Sequence, residues 1–187
     1  EIFGSDRFIN VISVRSSTPS GTKTAHKDKT IIKQKDLILV YKGGENVTLH
    51  PQYVKRKKWD THYSLILERK EDGTYCFHKL VDELKKLGIL KPEDKLEDVD
   101  IENKDFKNYY LKRSKEICRL QSHKNKEIEK RSRLLVNQVY EDISDGRVNG
   151  LYYNGQVVTP LAQSIKKVYS NQKFVDDLGI LLCDFWD

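Results

Sequence analysis

Residues 62–79, HYSLILERKEDGTYCFHK, decide how this chain is read. Two alternating runs, 62–70 and 74–79, flank Glu71-Asp72-Gly73, and glycine suits the left-handed position of a three-residue hairpin loop. That loop predicts Leu67 opposite Phe77 and Arg69 opposite Tyr75. One face then carries Tyr63, Leu65, Leu67, Tyr75 and Phe77, and the other carries His62, Ser64, Glu68, Lys70 and His78. A half-buried antiparallel sheet is the expectation.

Working outward, residues 8–14 and 31–41 are rich in Ile, Val and Leu and read as strands. Residues 16–29, dominated by Ser, Thr, Gly, Pro and Lys, read as a basic loop. Residues 80–87 read as a short helix ended by Gly88, with acids early and lysines late, as the helix dipole prefers. From about 104 to 143, Phe106, Tyr110, Ile117, Leu120, Ile128, Leu135 and Val139 fall within about 100° of one another at helical spacing, which predicts one helix of ~60 Å ended by Asp145-Gly146. A break near Ser122 is the alternative. Asn154-Gly155 predicts a type I′ hairpin over 151–158, and Thr159-Pro160 reads as a helix start, followed by a last apolar segment at 174–186 that reads as helical or extended. The fold class expected is α+β: a mostly antiparallel N-terminal sheet, one long helix, and a C-terminal hairpin with two helices. The organisation expected is a β-rich part at 1–90, an acidic connector at 91–103 and a C-terminal part at 104–187, forming one compact domain.

Composition narrows the function classes. The 187 residues carry 34 Lys/Arg against 28 Asp/Glu, and residues 1–60 alone hold 12 against 6. A chain of this length hides roughly 70% of its unfolded surface on folding. The longest nearly uncharged apolar run, 178–182, is far short of the ~20 residues that cross a bilayer, so no membrane role is expected. Three cysteines, an odd count at wide spacing, fit neither a disulfide framework nor a metal knuckle, and point to a reducing compartment. The absence of methionine suggests a segment of a longer, multidomain protein.

The candidate chemistry is cationic. Lys55, Arg56, Lys57 and Lys58 form a continuous run beside Tyr53 and Trp59, pairing groups that neutralise phosphates with aromatic faces that stack on unpaired bases. The same run would serve as a nuclear-import signal. On the predicted long helix, Lys112, Lys115, Arg119, Lys126, Lys130 and Arg133 project within ~60° of one another, opposite the apolar stripe. The basic loop adds Arg15, Lys23, Lys27 and Lys29.

Enzymatic signatures do not accumulate. Asp60 with Glu68 and Lys70 resembles the acids and lysine of a metal-dependent nuclease, but an extended strand would hold Asp60 and Glu68 ~26 Å apart. Cys76 and His78 share a strand face, but His62 is expected several residues farther along the sheet, and no metal, cofactor or catalytic residue is expected. The expectation is a non-catalytic nucleic-acid-binding domain, for DNA or RNA, of a nuclear protein. A protein-interaction scaffold is the alternative, and a metal-dependent nuclease ranks third.

Overall fold

The computed structural model describes residues 4–15, 35–48, 50–122 and 125–182, and the backbone of 185–186. The basic loop at 16–29, apart from the flanking Arg15, lies outside the described residues. The chain folds into two units, residues 1–54 with 180–187, and residues 55–179. The class is α+β.

The first unit holds β1 (Phe8–Arg15), β2 (Lys35–Tyr41) and β12 (Phe185–Trp186), with β1 antiparallel to β2 and parallel to β12. On β2, Leu37, Ile38 and Leu39 are all about half exposed or more, so this strand is not the buried one its apolar run suggests. The chain crosses into the second unit at the end of β3 (Tyr53–Lys55).

The second unit is built on an antiparallel sheet of six strands, which from edge to edge are β5 (Tyr75–Lys79), β4 (Leu65–Arg69), β6 (Ile117–Ser122), β9 (Gln156–Pro160), β8 (Arg147–Tyr153) and β7 (Val139–Ser144). The hairpin of β4 (Leu65–Arg69) and β5 (Tyr75–Lys79) has the expected register, Leu67↔Phe77 and Arg69↔Tyr75, with Gly73 at φ 81° in its loop. Leu67, Cys118 and Val158 bury one face of the sheet, joined by Leu65, Tyr75 and Phe77. Ile66 points the other way, into a larger core with Trp59, Tyr63, Phe106, Tyr110 and Ile117. The apolar triplet Leu65-Ile66-Leu67 therefore serves both faces.

α1 (Leu80–Lys86) follows β5 directly, buries Leu80 and Leu84, and ends at Gly88 with φ 71°. α2 (Lys104–Lys112) begins at Asn103, whose side chain accepts from the amides of Asp105 and Phe106. Its Phe106 and Tyr110, one turn apart, are fully buried.

The single long helix is replaced by three elements beyond α2: β6 (Ile117–Ser122), α3 (Lys126–Leu134) and β7 (Val139–Ser144). Ile117 and Cys118 are both buried although adjacent, because they serve opposite faces of a strand. A second Asn cap, Asn125, starts α3, and Asn137 at φ 57° follows its end. Asp145-Gly146, expected to stop a helix, is the β7–β8 turn (φ 52° and 71°), with β8 spanning Arg147–Tyr153. It uses the same chemistry as Asn154-Gly155 between β8 and β9 (Gln156–Pro160).

The two C-terminal helices are likewise corrected. Pro160 ends β9, paired with Cys118, and only one 3₁₀ turn, Leu161–Ser164, follows. Then β10 (Ile165–Ser170) and β11 (Lys173–Leu181) form a hairpin around Asn171 and Gln172, both at positive φ.

β11 is fixed to α2 by a buried acid. Asp177 is 1% exposed; it accepts from Lys107, from the Tyr110 hydroxyl at 2.7 Å and from the Leu178 amide at 2.8 Å, with Lys55 Nζ at 3.7 Å. Burial pushes this carboxyl up, but the Lys107 ammonium, the Tyr110 hydroxyl and the Leu178 amide outweigh it and hold it below the usual carboxylate range. The unfolded chain therefore takes up this proton first. The stabilisation is present above the unfolded value of ~3.9 and is lost as pH falls through the folded one. Asp177→Ala, which strands Lys107 beside an apolar core, is expected to cost about 3–5 kcal/mol in urea unfolding at pH 7. Asp177→Asn should show a shallower loss of stability than wild type between about pH 5 and pH 2; equal slopes would contradict this account.

Candidate nucleic-acid interface

The segment 55–63 opens the second unit, and its side chains divide between core and surface. Lys55 turns inward to Glu102 at 2.6 Å and to Asp177. Trp59 is 7% exposed, donates its indole N–H to Tyr63 O at 3.2 Å, and packs at 4.9 Å from Phe106 and 5.8 Å from Tyr110. Its ring is core, so the stacking role expected of it is not open to it in this structure. Tyr53 lies half-buried on β3.

Arg56, Lys57 and Lys58 face outward. Lys57 and Lys58 are exposed and have no ion-pair partner among the described residues. Arg56 reaches Asp60, with Nη1 3.8 Å from Oδ2. Arg119, from the middle of β6, reaches the same oxygen at 3.4 Å and lies 4.9 Å over the Tyr63 ring. The Gln121 amide, oriented so that both its ends are satisfied, accepts from Arg119 Nη2 at 2.7 Å and Nε at 3.0 Å and donates to Thr159 Oγ1 at 2.8 Å. Arg119 is thus held by a ring face, a carboxylate and an amide, with a quarter of its side chain exposed.

Asp60 organises this cluster. Its Oδ1 accepts from the His62 backbone amide at 3.2 Å and lies 2.8 Å from His62 Nδ1. Burial pushes the Asp60 carboxyl up, but the His62 hydrogen bonds and then the Arg56 charge outweigh this and keep it below the usual range. Two guanidiniums, Arg56 and Arg119, thus meet one ionised carboxylate, with His62 on its other oxygen and the exposed Lys57 and Lys58 next to Arg56 in the chain.

The remaining cations do not form a stripe, because the helix meant to align them is absent. Lys112 ends α2, Lys115 sits in the following turn, Arg119 is on β6, and Lys126, Lys130 and Arg133 are on α3. Lys126 and Lys130 are exposed. Arg133 pairs with Glu129 at 2.6 Å and lies against Gly155, where an added Cβ would come within 2.6 Å of its Nε. Beside it, the fully buried Ser132 hydroxyl accepts from the Gly155 amide at 2.8 Å, so this end of α3 serves the β8–β9 turn.

The nuclease constellation does not assemble either. A turn at 61–62 precedes β4, so the segment is not extended, yet the two acids have separate partners: Asp60 faces Arg56, Arg119 and His62, and Glu68 faces His78. Arg119 with Asp60 is the pairing that sequence reasoning missed. The two residues are 59 apart and meet only through the placement of β6.

No family model matches the chain, and no curated protein or solved structure matches it.

The cysteines give a direct check on the sheet. Cys118 is 1% exposed, and burial pushes its thiol up to about 12 despite the Leu67 amide. Cys76 is only part-buried. In a Cys183→Ser background, an aromatic disulfide reagent should modify one thiol rapidly and the second only on unfolding. Rapid modification of both would contradict the placement of β6 at the centre of the sheet.

Proposed function

We propose that this chain is a non-catalytic nucleic-acid-binding module that uses the cationic cluster around Asp60 for phosphate contacts. The observation that carries the reading is the convergence of Arg56 and Arg119, from segments far apart in sequence, on one carboxylate beside exposed Lys57 and Lys58. Arg119, held by a ring face, a carboxylate and an amide, loses little freedom on meeting phosphate oxygens, and both guanidiniums can grip them with paired N–H groups. The two lysines supply charge that adapts to the spacing of a backbone. Lys55 belongs to the Asp177 network, so phosphate contact falls to Arg56, Lys57, Lys58 and Arg119. A nuclear location fits such a module, and Lys57 and Lys58 are the cations an import receptor would reach.

The reading is tested by fluorescence anisotropy with labelled single- and double-stranded DNA and RNA. Lys57→Glu/Lys58→Glu alters only exposed side chains and should leave the fold intact. Expected is a fall in affinity of about tenfold or more at ~50 mM salt, with a salt slope shallower by about two units. Asp60→Asn, which removes the carboxylate charge that Arg56 and Arg119 share but keeps an accepting oxygen, should instead tighten binding. Binding that is absent, or unchanged in the charge-reversed variant, would overturn the proposal.

A protein-interaction reading has one observation of its own. Leu134 and Val136, at the end of α3 and just beyond it, are 77% and 71% exposed, and Tyr169 and Phe174 stack edge-to-face at 5.2 Å on β10–β11 with 62% exposure each. Such groups are poorly placed against water alone. Under that reading, Tyr169→Ser/Phe174→Ser would abolish association measured by sedimentation and leave nucleic-acid affinity unchanged.

A further inference from the structure

The β4–β5 hairpin carries three donor atoms that the cationic cluster does not use. Register places Glu68 directly across from Cys76, and His78 lies two residues farther along β5, so all three share the face opposite Leu67 and Phe77. A carboxylate oxygen, a thiol sulfur and an imidazole nitrogen lie within 4.8 Å of one another. His78 Nε2 is 3.0 Å from Glu68 Oε2 and 3.3 Å from Cys76 Sγ.

That both contacts fall on the same ring nitrogen separates the possible roles. A cysteine nucleophile needs one imidazole nitrogen as its base and the other bonded to an orienting carboxylate. Here Nε2 faces both groups, so the trio is not wired as such a relay. Hydrogen bonding is also poorly served, because Nε2 carries either one proton or one lone pair and can engage only one neighbour well. A cation between the three atoms engages all of them. With metal–sulfur near 2.3 Å and metal–nitrogen or –oxygen near 2.0–2.2 Å, tetrahedral edges come to roughly 3.3–3.6 Å. The two separations from His78 Nε2, 3.0 and 3.3 Å, are within a few tenths of an ångström of that, and the carboxylate and thiol lie within 4.8 Å of each other.

We propose that Glu68, Cys76 and His78 bind a divalent cation of the zinc class. Mixed nitrogen, sulfur and oxygen donors select zinc or cobalt over magnesium and calcium, which prefer oxygen alone. Glu68 and His78 are each more than half exposed, so the ion reaches the site from solvent and its fourth position stays open to water or an added ligand. On binding, the Cys76 S–H bond breaks heterolytically, the proton leaves to solvent, and the thiolate pair forms the metal–sulfur bond; nothing is oxidised or reduced. The ion joins β4 to β5, the edge strand of the six-stranded sheet, and so ties down that edge.

The test titrates the reduced full chain with Co²⁺, whose bond to thiolate gives a charge-transfer band in the near ultraviolet. Expected is saturation at one ion per chain, loss of the band on adding Zn²⁺, and persistence in excess Mg²⁺. Cys76→Ser should abolish the band, His78→Gln and Glu68→Gln should weaken binding about tenfold or more, and Cys183→Ser should leave it intact. Zn²⁺ should raise the melting temperature of the wild type and of Cys183→Ser but not of Cys76→Ser, with circular dichroism showing that each variant is folded. No band at saturating Co²⁺, or a band that survives Cys76→Ser, would overturn the proposal.

Discussion

The buried carboxylate of Asp177 is the constraint on which the second unit depends. A charge this deep must be paired, and its partners, Lys107 and Tyr110 from α2 and Lys55 from the start of the unit, leave little freedom for the elements that carry them. The Arg56 amide donates to Leu178 O at 2.8 Å, next to the same acid. Segment 55–59 is thus held at one end by Lys55 and at the other by Trp59 in the core. Between those anchors Lys57 and Lys58 are exposed and Arg56 is partly so, turned to Asp60.

Asp60 then acts on the surface as Asp177 does in the interior, but with a different result. Inside, positive and negative groups are closely matched and the network stabilises the fold. At the surface, one carboxylate meets two guanidiniums with two ammonium groups beside them, so charge is left over. Holding Arg119 against Tyr63 and Gln121 costs little exposure and fixes its direction. A surface of this kind gains by meeting a polyanion, because counterions released from phosphates leave as it binds.

What could be read from the sequence was local. The β4–β5 register followed from Gly73 and the alternation on either side, and the β8–β9 turn followed from Asn154-Gly155, since each is decided within a few residues. The long helix was not legible because Ile117, Leu120, Ile128 and Val139 keep a helical phase by coincidence. In fact Ile117 and Leu120 belong to a strand, Ile128 to α3 and Val139 to another strand. Asn125 was the signal against continuity, a cap residue between two charged stretches. Likewise Thr159-Pro160 resembles a helix start, but β9 already pairs through Pro160 and β-branched Ile165 and Val168 continue as a strand. Lys57 and Lys58 were visible as part of a cationic run. Arg119 was visible as a cation, but its pairing with Asp60 depends on where β6 lies in the sheet, and no spacing rule reaches 59 residues.

The central claim is that nucleic acid meets this chain at the Asp60 cluster, and amide chemical-shift mapping tests it most directly. A ¹⁵N-labelled sample titrated with a short oligonucleotide at low salt should show its largest shifts at residues 56–62 and around Arg119, and these should fade as salt is raised. Shifts concentrated instead at 134–136 or 169–174, or none at all, would contradict the account.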